Sequence, residues 1–279
     1  MTILNEIIEQ STSIKEVETI DSATLKKEYI NKHIPVLIKG FAKSWTAYKE
    51  WDFDFLLNLE EDKDVFLLSD NFIQDENRFK KSTFKDFISK LKASETENTD
   101  FKEYLTTLDI FNFYPHLKKD IDFSVFNENT TSNEITAWIG PKGTVSGFHA
   151  DTGKNMYAQI KGKKVFLLSP SNNKKYMYPS DKYILGATAS QVDINNFDEE
   201  KFPDFKKAKF INAFLEPGDV LYVPKNWWHY VQSLSPSISI SDFGYFPYEK
   251  YTMKVAERIK YSLHKRGYYK KRNCFCCGD

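Results

Sequence analysis

Residues 147–170 read GFHADTGKNMYAQIKGKKVFLLSP, and this run combines two strand patterns with a pair of polar side chains suited to a metal. The apolar segments 156–160 and 165–168 flank the turn KGKK, which is typical of two strands joined by a turn. His149 and Asp151 lie two residues apart, so an extended backbone points both side chains to one face. The run therefore predicts a sheet that carries polar groups on one strand.

The chain on either side of this run divides into a helical part and a part rich in strands. Apolar spacing predicts helices over 3–10, 22–32, 83–93 and 251–263, a strand over 34–40, and a polar loop over 94–101. Further short strands are predicted at 135–139, 219–223 and 238–243, separated by turns that contain glycine and proline. Many short strands with few helices among them favour a sandwich or a small barrel.

Composition excludes several classes of protein. The 279 residues include 39 basic and 39 acidic side chains, so no overall positive field recruits nucleic acid or anionic membrane. No apolar run approaches the roughly 20 residues of a transmembrane helix, and the first residues, MTILNEIIEQSTS, lack the pattern of a secretory signal. Cys274, Cys276 and Cys277 are the only cysteines, which excludes a disulfide framework. We therefore expect an intracellular protein, cytoplasmic or nuclear.

A third metal ligand has to come from another strand, and His229 is the candidate. It lies in KNWWHY, just after the turn and strand PGDVLYVP, and we expect it to lie on a neighbouring strand of the predicted barrel. Two histidines and one carboxylate leave three coordination positions open, which suits the oxygen chemistry of non-haem iron(II). On spacing alone, both a metal site and an ordinary structural role stay open for these residues. A His-x-Asp pair is common by chance, and a histidine beside two tryptophans is typically packed and hydrogen-bonded.

Two longer segments resemble a known enzyme family. Residues 147–170 together with EPGDVLYVPKNWWHYV at 216–231 are similar to the JmjC hydroxylases, which are Fe(II)- and 2-oxoglutarate-dependent oxygenases. Within that family the segments look most like the asparaginyl hydroxylases that inhibit hypoxia-inducible factor. Upstream, IPVLIKGFAKSW at 34–45 matches the opening strand of small JmjC proteins, so the resemblance runs from about residue 34 to residue 246.

The resemblance implies a mainly β fold with flanking helices around a double-stranded β-helix, also called a jelly-roll or cupin core. It implies three regions: a helical and strand region at 1–110 that packs on the core, the core at 111–246 with some strands supplied earlier, and a C-terminal helix with a basic tail at 247–279. The C-terminal helix is then expected to pack on the barrel or on a second subunit, as in dimeric relatives.

Carried over residue by residue, the resemblance assigns roles to the site. His149, Asp151 and His229 become the catalytic iron ligands. The residues implied to hold the 2-oxoglutarate co-substrate are Lys164, Ser146, Tyr104, Asn155 and Asp242, and those implied to line the substrate pocket are Tyr157, Trp228 and Gly244. Without the resemblance, Lys164 is interpreted as a solvated lysine in a turn and Tyr104 as a buried core tyrosine. For Lys164, only its spacing from Asp151, which matches the family pattern, favours a role in the site.

Asp242 departs from the family pattern, which has asparagine at this position. By strand parity Asp242 shares a face with Ile238 and Ile240, and we expect that face to be the barrel interior. A carboxylate there faces the anionic co-substrate, and like charges disfavour ionisation of both. Gly244 replaces a bulky aromatic, which opens the predicted pocket and puts the identity of the substrate in doubt.

The function that these residues predict is an Fe(II)- and 2-oxoglutarate-dependent dioxygenase that uses O₂, releases succinate and CO₂, and hydroxylates a protein side chain. Two alternatives use the same chemistry: a JmjC lysine demethylase and a hydroxylase of a tRNA base. The basic tail keeps the tRNA alternative open, although nucleic acid is the less favoured partner. The rival class is a cupin binding protein without turnover, in which Asp242 prevents productive binding of the co-substrate, or a cupin with structural zinc.

The cysteine-containing end of the chain has several interpretations. Three thiols so close together cannot close a tetrahedral metal site alone. S-acylation assisted by Lys270, Lys271 and Arg272 is an alternative. The simplest expectation is a disordered tail without a specific role.

Overall fold

The computed structural model describes residues 2–69, 79–96, 100–126, 132–245, 247–270 and 273–274. Within them the α-helices are α1 (Ile3–Gln10), α2 (Ser22–Thr24), which continues as a π-helix over Leu25–Ile30, α3 (Thr46–Glu50), α4 (Phe53–Leu57), α5 (Phe84–Ala93), α6 (Ile110–Phe113) and α7 (Pro247–Lys265). The strands are β1 (Thr12–Ser13), β2 (Glu16–Val17), β3 (Val36–Ile38), β4 (Asp64–Ser69), β5 (Lys80–Thr83), β6 (Glu103–Leu108), β7 (Ser132–Gly140), β8 (Val145–Asp151), β9 (Lys154–Lys161), β10 (Lys164–Ser169), β11 (Ala187–Ala189), β12 (Ile211–Leu215), β13 (Val220–Val223), β14 (Trp228–Ser233) and β15 (Ser237–Tyr245).

The strands form two sheets. The larger has the order β2-β3-β13-β9-β15-β7-β6-β4-β5 and the smaller has the order β1-β12-β10-β14-β8-β11. From β7 to β10, and again from β12 to β15, consecutive strands alternate between the two sheets. Nearly all pairings are antiparallel, and this alternation winds the chain into a jelly roll. The predicted fold class, a mainly β jelly roll with a C-terminal helix, is confirmed.

Helices form where the predicted apolar spacing meets a capping residue. In α5 the Thr83 hydroxyl accepts a hydrogen bond from the Asp86 backbone N–H at 3.3 Å, which satisfies one of the free donors at the start of the helix. Its apolar side chains Phe84, Phe87, Ile88 and Leu91 are all buried. The predicted helices at 3–10 and 83–93 are therefore confirmed, and no described helix is long and apolar enough to cross a membrane.

The helices cover the outer face of the larger sheet, and this decides which way its side chains point. Ile238 and Ile240 belong to the same apolar cluster as Phe87 of α5 and Leu56 of α4. The alternating serines of β15 turn the other way, where Ser239 donates to Gln159 Oε1 at 2.9 Å. The prediction that Ile238 and Ile240 face the barrel interior is therefore wrong. The helical layer takes the apolar side of this strand, and the polar side lines the interior.

A second apolar layer covers the outer face of the smaller sheet. Phe148 of β8 and Tyr230 of β14 pack there against Phe205 and Phe210, which lie in the connection between β11 and β12. Between the two sheets a third cluster, which includes Leu168 and Leu221, fills part of the interior. Apolar packing on both outer faces holds the two sheets in place, and the sheets in turn hold the polar side chains of the interior.

The C-terminal helix α7 packs on the protein through one face only. Glu257 lies on its inner side and His264 is fully buried, whereas Tyr251 and Ile259 are 72 % and 55 % exposed. A dimer through this helix stays a prediction. After α7 the described residues include Cys274, whose backbone forms a bridge to Tyr183. The remaining two cysteines and the predicted basic residues at 271 and 272 lie outside the described residues.

Candidate metal centre

Two neighbouring strands bring the predicted metal ligands together. His149 of β8 and His229 of β14 are directly opposite each other in the antiparallel pairing, with ring centroids 4.0 Å apart. Asp151 ends β8 on the same face as His149, as the spacing of two residues predicts. Both histidines are buried, and the Asp151 side chain is only 18 % exposed. Three potential ligands therefore converge from one sheet.

The distances suit a divalent ion of the first transition row. Asp151 Oδ1 lies 3.9 Å from His149 Nε2, and Asp151 Oδ2 lies 3.5 Å from His229 Nε2. The three ligand atoms all lie within 4.8 Å of one another. Ligands at about 2.1 Å from a metal and at right angles to each other are about 3 Å apart. Small side-chain adjustments therefore close this triad around an ion.

Backbone hydrogen bonds fix which nitrogen of each ring faces the site. Nδ1 of His149 lies 2.7 Å from the Gly147 carbonyl oxygen, and Nδ1 of His229 lies 3.0 Å from the Trp227 carbonyl oxygen. A carbonyl accepts only from a protonated nitrogen, so each Nδ1 carries the proton. Each Nε2 then presents its lone pair to the site, which is the usual arrangement behind a metal-bound histidine.

The charge state of the triad also favours a cation. Burial, together with the nearby His229, lowers the pKa of His149 to about 4, so its ring is neutral at pH 7. Burial alone would raise the pKa of Asp151, but its interactions with His149 and His229 outweigh that effect and hold it below the usual value. The site thus combines one largely buried carboxylate with a neutral imidazole donor, and a bound cation compensates that charge.

A buried lysine lies deeper in the same barrel. Lys164, the first residue of β10, has no exposed surface, and its Nζ lies 2.8 Å from the Tyr157 hydroxyl and 3.2 Å from the Tyr104 hydroxyl. Burial lowers the pKa of Lys164 to about 7 and raises the pKa of both tyrosines. Two neutral phenols are poor compensation for a buried ammonium, so this position favours an anionic ligand such as a carboxylate.

A cavity of about 410 Å³ connects the triad with the neighbourhood of Lys164. It is lined by the triad and by Tyr104, Thr107, Glu134, Thr136, Trp138, Ser146, Asn155, Tyr157, Phe166, Ile184, Leu185, Gly186, Ala187, Val231, Ser241, Phe243, Met253, Lys254 and Glu257. Among the described residues, Thr136 Oγ1 and Asn155 Oδ1 are buried cavity-wall atoms without a hydrogen-bond partner. Orphaned polar atoms on a cavity wall indicate a polar ligand, and the donor set fits an iron(II) ion with an anionic co-substrate.

The structure brings most of the predicted co-substrate residues to this cavity. Ser146 lines it and is hydrogen-bonded to the hydroxyl of Tyr104. The Asn155 amide donates to Ser241 Oγ at 3.2 Å, which leaves its carbonyl oxygen directed elsewhere in the cavity wall. Tyr157 lines the cavity as predicted, but its hydroxyl is also one of the partners of Lys164.

Three predicted site residues lie elsewhere. Asp242 pairs with Met156 of β9 and turns with Ile240 toward the helical layer, so its predicted position inside the barrel is wrong. Gly244 follows Asp242 by two residues and shares its face. Trp228 belongs to the apolar cluster outside the smaller sheet, because it alternates with His229 along β14. None of the three lines the cavity.

Other cavity residues escaped prediction. Thr136 and Trp138 are two residues apart on β7, and both face inward. The sequence predicts that they share a face, but it does not show whether that face is the interior or the side covered by helices. Glu257 comes from α7, about a hundred residues beyond the His149 motif, and no local pattern links it to the site. Tertiary packing alone places it there.

Substituting Asp242 tests its corrected position. We expect Asp242→Asn to leave the affinity for 2-oxoglutarate within about twofold of wild type, because the side chain lies on the face of β15 opposite the cavity. Calorimetric titration of the metal-loaded protein measures this affinity. The matched variant Ser241→Asp, one residue along and facing the cavity, is expected to weaken it at least tenfold through like-charge repulsion. A large loss with Asp242→Asn would contradict the position described here.

Comparison with known protein families agrees with this geometry. The cupin-like domain family matches residues 22–245, which is most of the chain. The chain therefore belongs to the cupin-like domain family.

Several curated proteins are similar over most of this chain. The Jumonji C domain-containing protein 5 of Drosophila melanogaster is 33 % identical over 248 residues, covering 85 % of this chain and 61 % of the relative. The proteins named lysine-specific demethylase 8 of Danio rerio and Xenopus tropicalis are 34 % and 31 % identical, covering 81 % and 86 % of this chain and 58 % and 54 % of those proteins. The chain thus spans little more than half the length of these relatives.

Proposed function

We propose that this chain is an Fe(II)- and 2-oxoglutarate-dependent oxygenase that oxidises a basic side chain of a protein, with N-methyl-lysine as the first candidate. The observation that carries the proposal is the placement of His149, Asp151, His229 and Lys164 around one interior. The triad supplies one carboxylate and two imidazole nitrogens, and the lysine supplies a cation for the co-substrate. A binding protein without turnover has no need for both.

Each part of the site has a separate task. His149, Asp151 and His229 would hold the iron, and the bonds from each Nδ1 to a backbone carbonyl keep the rings oriented. Lys164 would pair with the distal carboxylate of 2-oxoglutarate, with Tyr104 and Ser146 as further hydroxyl partners. Iron(II) bound there would couple the oxidative decarboxylation of 2-oxoglutarate by O₂ to oxidation of a substrate C–H bond. The barrel walls exclude water from these groups.

The outer part of the cavity is where a substrate side chain would lie. Trp138 and Phe243 supply aromatic surface, and Glu134 and Glu257 supply carboxylates on the cavity wall. Aromatic faces and carboxylates together recognise cations, including methylated ammonium groups. Glu257 is already bonded to Lys260 at 2.7 Å, and Lys254 also lines the cavity, so Glu134 at the exposed mouth is the main candidate partner.

The names of the relatives support the same substrate class. Two of the three relatives described above are called lysine-specific demethylases, and none is the asparaginyl hydroxylase that the sequence motifs resemble. Asparaginyl hydroxylation would use the same iron site, but its substrate is a neutral amide, which interacts less favourably with the Glu134 carboxylate than a cation does. The main argument for a non-catalytic cupin was Asp242 facing the co-substrate, and that argument loses its basis with Asp242 outside the barrel.

A peptide library tests the proposal. The iron-loaded protein, 2-oxoglutarate and O₂ are incubated with peptides that carry a central trimethyl-lysine, lysine, arginine or asparagine, and products are read by mass spectrometry. We expect trimethyl-lysine peptides to lose one methyl group with release of formaldehyde, because oxidation of an N-methyl carbon gives an unstable carbinolamine. Added oxygen on unmodified lysine or arginine would support a basic substrate but identify the enzyme as a hydroxylase.

A pair of variants tests whether Glu134 recognises the substrate. Glu134→Gln is expected to lower kcat/KM for the cationic peptide about tenfold, since it removes one exposed carboxylate. Glu216→Gln, a surface carboxylate bonded to Lys163, is the matched control and should have no effect. Product from asparagine peptides alone would contradict the basic-substrate proposal while leaving the oxygenase site intact.

A further inference from the structure

One wall of the cavity is a short segment tied to the strand of the metal triad. Residues 184–187 line the cavity, and β11 pairs with β8 so that Ala187 lies opposite Asp151. The backbone N–H and the hydroxyl of Thr152 both donate to the Gly186 carbonyl oxygen at 2.9 Å. On this side the wall is therefore fixed to the chain next to Asp151.

The other side of the wall is held by the C-terminal chain through Tyr183. The Tyr183 hydroxyl donates to Glu257 Oε2 of α7 at 3.0 Å, and its ring packs against the His264 ring with centroids 4.8 Å apart and planes 31° apart. Its backbone N–H donates to the Asn273 carbonyl oxygen at 2.7 Å. Three separate contacts therefore join Tyr183, the residue directly before the wall, to the C-terminal segment.

His264 organises the return of the chain after α7. It is fully buried, and its Nδ1 lies 3.0 Å from the Tyr269 carbonyl oxygen. Gly267 adopts a positive φ of 79°, and the Tyr268 backbone N–H donates to the Leu263 carbonyl oxygen at 2.9 Å, which together end the helix. Lys270 Nζ then donates to the Ser180 carbonyl oxygen at 2.7 Å, just before the wall. The described part of the predicted disordered tail is thus packed against the wall.

We infer that residues 264–270 together with residues 273 and 274 clasp segment 180–187 and so fix the outer wall of the substrate cavity, which makes Tyr183 and His264 positioning residues for the substrate. The inference rests on the proposed function for the identity of that substrate. Met253 and Glu257 of α7 line the same cavity, so the clasp also holds the helix at its distance from the wall. The metal triad and Lys164 belong to the sheets and need no help from the clasp.

The test combines a physical readout with a kinetic one. Tyr183→Phe keeps the ring and removes the bond to Glu257, His264→Ala removes the ring contact, and His264→Phe keeps a ring beside Tyr183. Tyr268→Phe is the matched control, because this tail residue is 81 % exposed. Tryptic cleavage after Lys182 reports opening of the wall, anaerobic 2-oxoglutarate binding reports the inner site, and KM for the best library peptide reports the substrate cavity.

We expect cleavage after Lys182 to accelerate about fivefold in Tyr183→Phe, as the loss of one hydrogen bond allows, and more than tenfold in His264→Ala. Peptide KM should rise in the same order with 2-oxoglutarate affinity unchanged within twofold, and His264→Phe should recover part of both losses. Unchanged cleavage in every variant would overturn the clasp. Faster cleavage with unchanged KM would overturn its role in substrate positioning. If no peptide reacts, the proposed substrate class fails, whereas cleavage and co-substrate binding still decide whether the clasp exists.

Discussion

Replacing His149 with alanine is expected to abolish stable Fe(II) binding and to lower succinate formation from 2-oxoglutarate on the order of a thousandfold, beyond the 10–100-fold cost of losing a partner behind a metal ligand. His149 supplies one of only three protein ligands in the triad, and its Nε2 is fixed toward the site by the bond from Nδ1 to Gly147. Without it, Asp151 and His229 provide two donors, too few to retain the ion against chelation by buffer.

The measurement is metal content after gel filtration, together with succinate formation under air. His33→Ala is the control, because this histidine is exposed and is not one of the three clustered ligands. Thermal unfolding of the metal-free proteins separates loss of the ligand from loss of the fold. A His149→Ala protein that retains wild-type iron and turnover would show that the metal binds elsewhere.

Replacing Lys164 with methionine is expected to weaken 2-oxoglutarate binding about a hundredfold, the equivalent of about 2.7 kcal/mol and within the range for loss of one partner of a buried charge pair. Metal binding should be unchanged, since the contacts of Lys164 are with Tyr104 and Tyr157 rather than with the triad. Methionine fills a similar volume without a charge. Lys163→Met is the matched control, because that neighbouring lysine is 56 % exposed and pairs with Glu216 on the surface.

The same lysine predicts the direction of the pH dependence. Only the ammonium form of Lys164 attracts a carboxylate, and burial lowers the pKa of this group to about 7 in the free protein. Affinity for 2-oxoglutarate is therefore full well below that pKa and falls as pH rises through it, by about fifteenfold between pH 7 and pH 8.5. Lys164→Met should bind weakly at every pH. An affinity that is flat over this range in the wild type would contradict the role given to Lys164.

What the sequence predicts well here depends on short-range geometry. His149 and Asp151 share a face because strand parity is fixed over two residues. The predicted turn at 161–164 leads from β9 of the larger sheet to β10 of the smaller one, which begins at Lys164. The family resemblance then adds His229. Each of these steps needs only a strand, a turn or a motif.

The errors come from information that a single strand does not contain. The alternation in β15 is plain, but which side faces the barrel depends on whether helices cover the sheet. Because they do, the isoleucines and Asp242 turn outward, and Ser239 and Ser241 turn inward. Glu257 reaches the cavity only through the packing of α7.

The most direct test of the central claim uses isotopically labelled oxygen. The iron-loaded protein is incubated with 2-oxoglutarate and its peptide substrate under ¹⁸O₂, and the succinate is analysed by mass spectrometry. A site in which His149, Asp151 and His229 hold iron and Lys164 anchors the co-substrate predicts one ¹⁸O atom in each succinate, with none formed by His149→Ala. Succinate without the label, or labelled succinate at the same rate from His149→Ala, would contradict it.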